Sequence, residues 1–175
     1  MEAWARGDYG RALTLLQEGL TLYREVGDRR GIARLPGNQS FVALHWQDYA
    51  RAAALCRESL ELQLEAGDSW AIGRYLPVLA GVAFAQGQPE RAVRLFGAAA
   101  ALRERLGALL PPIVRSGHER AIAALCTALG ERAFAAVWIE GQAMAPQAII
   151  EHARGPQVPY GQPATDSITL PVPPQ

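Results

Sequence analysis

The chain repeats itself. Residues 7–34 (GDYGRALTLLQEGLTLYREVGDRRGIAR) align without gaps onto residues 47–74 (QDYARAAALCRESLELQLEAGDSWAIGR) at an offset of 40, and 13 of the 28 positions are identical. Asp8/Asp48, Tyr9/Tyr49, Arg11/Arg51, Ala12/Ala52, Leu20/Leu60, Gly27/Gly67 and Asp28/Asp68 are among them. A third copy opens at Gly87-Gln88-Pro89 and keeps Arg91, Ala92, Leu95, Leu102 and Gly107 in the same register. A fixed period of this length marks a solenoid. One unit cannot bury its own apolar face, and stacking its neighbours does so.

Each repeat reads as two helices. After Gly7-Asp8, Tyr9, Ala12, Leu13, Leu16, Leu20 and Tyr23 recur at helical spacing. Gly27-Asp28 ends that helix: Gly suits the left-handed position past a helix end, and Asp caps the next helix. The second helices are expected near Arg29–Trp46 and Ser69–Gln86. No stretch alternates with period two, so no sheet is expected. Pro36 and Pro77 fall inside these second helices, and a kink or break is expected near both. Gln39 stands where the next repeat has Leu79, a polar residue in an apolar slot, and the second repeat is expected to be the looser one. Beyond Gly107, helices are expected from about Ile113 to Leu129, from Glu131 through Trp138, and from Pro146 to about Ala153. The predicted fold is all-α: an antiparallel helix-hairpin solenoid with a helical C-terminal cap and a disordered tail. One repeat domain covers 1–153, with repeats near 7–46, 47–86 and 87–110 and the cap at 111–153. Residues 154–175 form a Pro-rich tail with too little apolar content to order itself.

Charge and composition narrow the function. All 17 basic residues are arginine, balanced by 17 acidic ones. Zero net charge argues against a nucleic-acid surface built on bulk charge and against a polybasic membrane anchor. Without lysine there is no P-loop lysine, no Schiff-base lysine and no Ser-Lys dyad. No apolar run is long enough for a transmembrane helix, and the N-terminus reads neither as a signal peptide nor as a transit peptide. Two cysteines, Cys56 and Cys126, suit a reduced cytoplasmic setting and read as buried small hydrophobes. No catalytic, cofactor or metal residues are assigned. His45, His118 and His152 lack metal-ligand spacing, and His118-Glu119 do not face each other on a helix, so His118 is read as solvated surface.

The repeats resemble tetratricopeptide repeats through Gly7-Asp8-Tyr9…Ala12 and Gln47-Asp48-Tyr49…Ala52, with a period of 40 where that family has 34. Residues 91–144, RAVRLFGAAAALRERLGALLPPIVRSGHERAIAALCTALGERAFAAVWIEGQAM, resemble the closing segment of large bacterial signalling ATPases and LuxR-type transcription regulators. In those proteins a P-loop ATPase precedes a helical-repeat sensor of the maltose-activator type, and a helix-turn-helix sometimes follows. The resemblance covers about residues 1–153. It implies a sensor or protein-interaction role here, without ATPase activity or DNA binding by this segment itself. A truncated gene remnant without independent function is the alternative, and an enzyme of unrecognised type the remoter one.

Four residues are candidate partner contacts. Arg34 and Arg74 occupy equivalent positions on the helices that the tetratricopeptide resemblance makes the first of successive repeats, and that resemblance implies that this helix lines the concave face. Such an arginine ladder suits carboxylates or a peptide C-terminus. Trp46, beside His45 at a helix end, suits a protein partner. Trp138 is read with Phe134 as core, and Glu58, Glu61 and Glu65 as a solvated acidic stripe. Finally, Leu15, Leu22 and Val26 form a second apolar face on the first helix, with only Met1–Arg6 before its turn. Self-association through that end, or an upstream partner chain, is expected.

Overall fold

The computed structural model of the chain describes residues 9–109 and 112–154. All regular structure among them is helical: α1 (Tyr9–Glu25), α2 (Arg29–His45), α3 (Tyr49–Glu65), α4 (Ser69–Ala85), α5 (Pro89–Arg105), α6 (Pro112–Leu129), α7 (Glu131–Gln142) and α8 (Pro146–Arg154). The readings for Met1–Arg6 and for the tail beyond Arg154 lie outside the described residues. Arg154 itself belongs to α8, not to the tail.

The 40-residue period has a simple origin. Helices α1 to α5 each contain 17 residues, about 25 Å at the helical rise, and three-residue turns join them. Every turn uses the same bonds. At the first, the Gly27 N–H donates to Arg24 O and the Asp28 N–H to Tyr23 O. These are the paired bonds of a Schellman ending, with Gly27 in the left-handed region at φ 69°. The side chains of Asp28, Asp48 and Asp68 then cap α2, α3 and α4 by accepting from the N–H groups of Gly31, Arg51 and Ala71. Gln88 makes no such cap, but Pro89 starts α5 with its φ already set.

The hairpins α2–α3 and α4–α5 pack most closely, and α2 also touches α4 directly. This gives a layer of α2 and α4 against a layer of α1, α3 and α5. Helix α4 is the centre of the core. Its buried residues include Ile72, Tyr75, Leu76, Val78, Leu79 and Val82. The second repeat thus contains the most deeply buried of the five 17-residue helices, and the expectation that it would be looser is corrected. Neighbours on both sides cover α4, whereas Gln39 sits part-exposed on α2, where polarity costs little.

Neither proline breaks its helix: α2 runs through Pro36 and α4 through Pro77. Side chains from neighbouring helices donate to carbonyls in the turn before each one. Ser59 Oγ bonds Ala33 O and Tyr75 Oη bonds Arg34 O, while Cys56 Sγ bonds Tyr75 O. Each proline removes the bond to the carbonyl four residues back, Ile32 O or Gly73 O; the tertiary donors bond carbonyls just beyond these and hold each proline segment against its neighbours.

The repeat geometry ends at α5. Helix α7, not α6, is its main partner on the far side. The crossing is backbone to backbone. A Cβ on Gly97 would lie 2.5 Å from Trp138 O, and one on Gly141 would overlap Arg94 O. Phe134 and Trp138 of α7 stack with centroids 5.6 Å apart and pack against the core. His118 is not the solvated residue expected. It is half-buried on α6, edge-on to Phe96 at 5.0 Å, and burial together with nearby Arg103 pushes its pKa down to about 4. Cys56 is fully buried, and burial raises its thiol to about 12; Cys126 is half-buried. No helix among the described residues is long and apolar enough to cross a membrane.

One turn departs from the pattern. Gln47 occupies the left-handed position at φ 59°, where the equivalent turn has Gly87. A side chain there costs about 1 kcal/mol. Gln47→Gly should therefore raise stability by about 1 kcal/mol in urea unfolding, with the m-value unchanged. The same substitution at exposed Glu58, inside α3, should lower it by a similar amount.

Candidate functional site

The α2/α4 face gathers the chemistry. Arg34 and Arg74, 40 residues apart in sequence, both lie over the indole of Trp70, each Cζ 5.4 Å from the ring centroid. Trp70 sits in the first turn of α4, and Arg74 follows it by one turn on the same helix. Arg34 reaches across from α2. The indole is 44% exposed, so it is an accessible aromatic surface flanked by two cations.

Each cation is held from behind. The Arg34 guanidinium donates to Asp68 Oδ2 at 2.6 Å, while Asp68 Oδ1 accepts from the Ala71 N–H and caps α4. Burial pushes the Asp68 carboxyl upward, but the bond from Arg34 and the Ala71 N–H outweigh it and its pKa falls below the usual value. The same bond raises Arg34 against the opposing effect of burial. Arg74 donates to Asn38 Oδ1 at 3.3 Å and lies 5.7 Å from the Tyr75 ring and 6.0 Å from that of Phe41. Burial lowers its pKa, with Tyr75 opposing and Arg34 adding to the effect. An arginine nonetheless stays charged at neutral pH.

Tyr75 ties the two helices together below the cations. Its hydroxyl donates either to Arg34 O (3.1 Å) or to Asn38 Oδ1 (3.2 Å). The ring fits only because residue 37 is glycine: a Cβ there would stand 2.6 Å from Tyr75 Cζ and 2.7 Å from Ser59 Oγ. Next to this network an open cleft of about 310 Å³ is lined by Arg30, Arg34, Asp68, Ser69, Trp70 and Leu106.

The structure brings two of the four sequence-derived contacts, Arg34 and Arg74, into one site. His45 and Trp46 are elsewhere, at the far end of α2. His45 is part-buried, which lowers its pKa, and Trp46 is 51% exposed. Sequence reasoning missed Trp70, Asp68, Asn38 and Tyr75 as members of the site. The register did hold a signal for Trp70: it precedes Arg74 by four residues, one helical turn. Leu15 and Leu22 on α1 and Val26 in the turn after it are exposed as expected, Val26 at 76%.

Three curated proteins bear the name "Putative HTH-type transcriptional regulator", one from Mycobacterium bovis and two from strains of Mycobacterium tuberculosis. Each is 35% identical to this chain over 79 residues. The match covers 45% of this chain and 9% of each relative, so the chain spans a small part of the proteins it resembles. No protein-family model matches the sequence, and no solved structure matches it.

Asp68 serves as cap and as counter-ion, and the two roles are separable. Asp68→Ala should cost about 1 kcal/mol for the cap, plus less than about 1 kcal/mol for a pair whose arginine is well exposed. Asp68→Asn should keep most of the cap and lose the pair. Because the folded carboxyl titrates below its unfolded value of about 3.9, its stabilisation is complete above that value. It is lost as the pH falls through the lowered folded pKa. Thermal melts at pH 7 and pH 3 check this: the gap between wild type and Asp68→Asn should narrow at the lower pH.

Proposed function

We propose that this chain is a non-catalytic protein-interaction module of the tetratricopeptide kind, part of a cytoplasmic transcription regulator. Its α2/α4 face binds a peptide segment bearing carboxylates. The observation that carries this reading is the pair of guanidiniums over the exposed Trp70. An indole offers a broad contact area at low entropic cost, and arginines present planar donors to carboxylates. The regulator setting is supported by the names of the three partial relatives. The arginine-only composition supports a non-catalytic role, since phosphate-loop and Schiff-base chemistry lack their lysine.

Immobilised protein probed with a pool of synthetic peptides of varied acidity tests the reading. Acidic peptides should be selected, and their binding should weaken with salt. Arg74→Gln or Trp70→Ala should reduce affinity about tenfold or more, since a charge-assisted hydrogen bond is worth about 1.5–3 kcal/mol. Selection indifferent to acidity, or binding unchanged in both variants, would overturn it. So would ATP turnover by the pure protein.

A second reading rests on α1. The exposed stripe of Leu15, Leu22 and Val26 is the face that the neighbouring unit of a solenoid covers, and it suits self-association or an upstream partner chain. Light scattering over a dilution series should show mass rising with concentration, and Leu15→Lys should abolish the rise. A strict monomer at high micromolar concentration, with no solubility change in Leu15→Lys, would sink this reading.

A further inference from the structure

Helix α8 shows how this solenoid accepts a foreign helix. It lies across α3, α4 and α5, in the groove between two helices of one layer and above the third. Ile149, Ile150 and Ala153 are buried there. Its C-terminal carbonyls are received by arginines: Arg91 donates to His152 O at 3.3 Å and to Ala153 O at 3.1 Å, and Arg57 to Ala153 O at 3.3 Å. Cations at a helix C-terminus satisfy its last carbonyls and oppose its dipole. Arg154 adds an ion pair with Glu61.

The same groove exists one period earlier and holds no helix of this chain among the described residues. Moving back 40 positions turns α3, α4 and α5 into α1, α2 and α3. At that place the structure has a shallow depression lined by Leu13, Gln39, Val42, Ala43, Trp46 and Arg51. Their counterparts one period later are Ala53, Leu79, Val82, Ala83, Gln86 and Arg91, of which Arg91 bonds the end of α8. Arg51, the counterpart of the carbonyl-binding Arg91, is exposed.

From this equivalence we infer that the α1/α3 groove is a docking site for a short amphipathic helix of a partner protein, seated as α8 is and ending against Arg51. The site is independent of the α2/α4 face. Its differences from the filled groove define the occupant. Gln17 and Thr21 replace Arg57 and Glu61, so one carbonyl-binding guanidinium and the carboxylate that pairs with Arg154 are gone. Leu13 and Trp46 replace Ala53 and Gln86 and add apolar bulk at the two rims, while Gln39 replaces Leu79 and puts one amide on the floor. The partner helix therefore carries an adjacent aliphatic pair with a small residue one turn on, like Ile149-Ile150 and Ala153. It needs no basic residue at the position of Arg154. Trp46 belongs to this groove as its exposed apolar wall.

The probe is a labelled peptide of residues 143–154, titrated into the full chain by fluorescence anisotropy. Saturable binding is expected. Arg51→Ala and Leu13→Asp should each weaken it at least tenfold, and Arg91→Ala should leave it unchanged. A peptide with Ile150→Asp should not bind. Arg51 is exposed, so its variant tests the site without disturbing the core. No binding up to about 1 mM, a free energy near −4 kcal/mol, would overturn the inference. Binding lost in Arg91→Ala but intact in Arg51→Ala and Leu13→Asp would also overturn it, by showing the peptide in place of the chain's own α8. Dimerisation that excludes the peptide would overturn it too, since the occupant would then be a second copy.

Discussion

Each three-residue turn makes one residue serve two helices. The residue after the left-handed position donates its N–H back to a carbonyl of the helix just ended, as Asp28 does to Tyr23, Asp48 to Ala43 and Asp68 to Gln63. The same aspartate then accepts from the first turn of the next helix. Helix end, turn and helix start are fixed together, with no slack between them. Because these turns recur at even spacing in the sequence, α1 to α5 have equal length and positions 40 residues apart meet equivalent surroundings. The α2/α4 face and the groove between α1 and α3 both depend on that register.

Close approach between helices is the second requirement. Gly37 leaves room for the Tyr75 ring, and through it Tyr75 reaches the Arg34 carbonyl and the Asn38 amide. A methyl group at residue 37 would push α2 from α4 and separate Arg34 from Trp70. At the other end, Gly97 and Gly141 let α5 and α7 touch along their backbones. That contact ends the repeat, because α7 takes the place where a further unit would stack. Polar atoms left inside show where packing is imperfect. Both amide atoms of Gln63 are buried without a hydrogen-bond partner, at the position held by Tyr23 and Arg103 in the other repeats.

Chemical divergence on a regular frame then separates the surfaces. Position 70 is tryptophan where the preceding repeat has Arg30, and position 68 keeps its aspartate while position 108 has alanine. Only the second repeat therefore combines an aromatic surface, a capping carboxylate and two arginines across α2 and α4. On the opposite layer, Arg57 and Glu61 hold α8 to α3 and Arg91 holds it to α5; the α1/α3 groove keeps the counterpart of Arg91 and lacks the other two.

The sequence alone determined the solenoid, its period and nearly every helix boundary. Those follow from local physics: apolar spacing, glycine at left-handed positions, aspartate at caps. It also placed Arg34 and Arg74 at equivalent positions, because register is a linear property. Tertiary structure decided what linear order cannot express. The local cost of a lost N–H at Pro36 and Pro77 predicts a kink or break, yet both helices run through and neighbouring helices donate to carbonyls beside the prolines. Its own helix gives His118 as surface, yet α5 supplies Phe96 to cover it. The return of α8 onto α3 and α5 rests on contacts more than 50 residues apart in sequence. Trp70 joined the site for the same reason: its partner Arg34 lies on another helix. Periodicity records which face of a helix is apolar, but the partner for that face is chosen only when the chain folds back on itself.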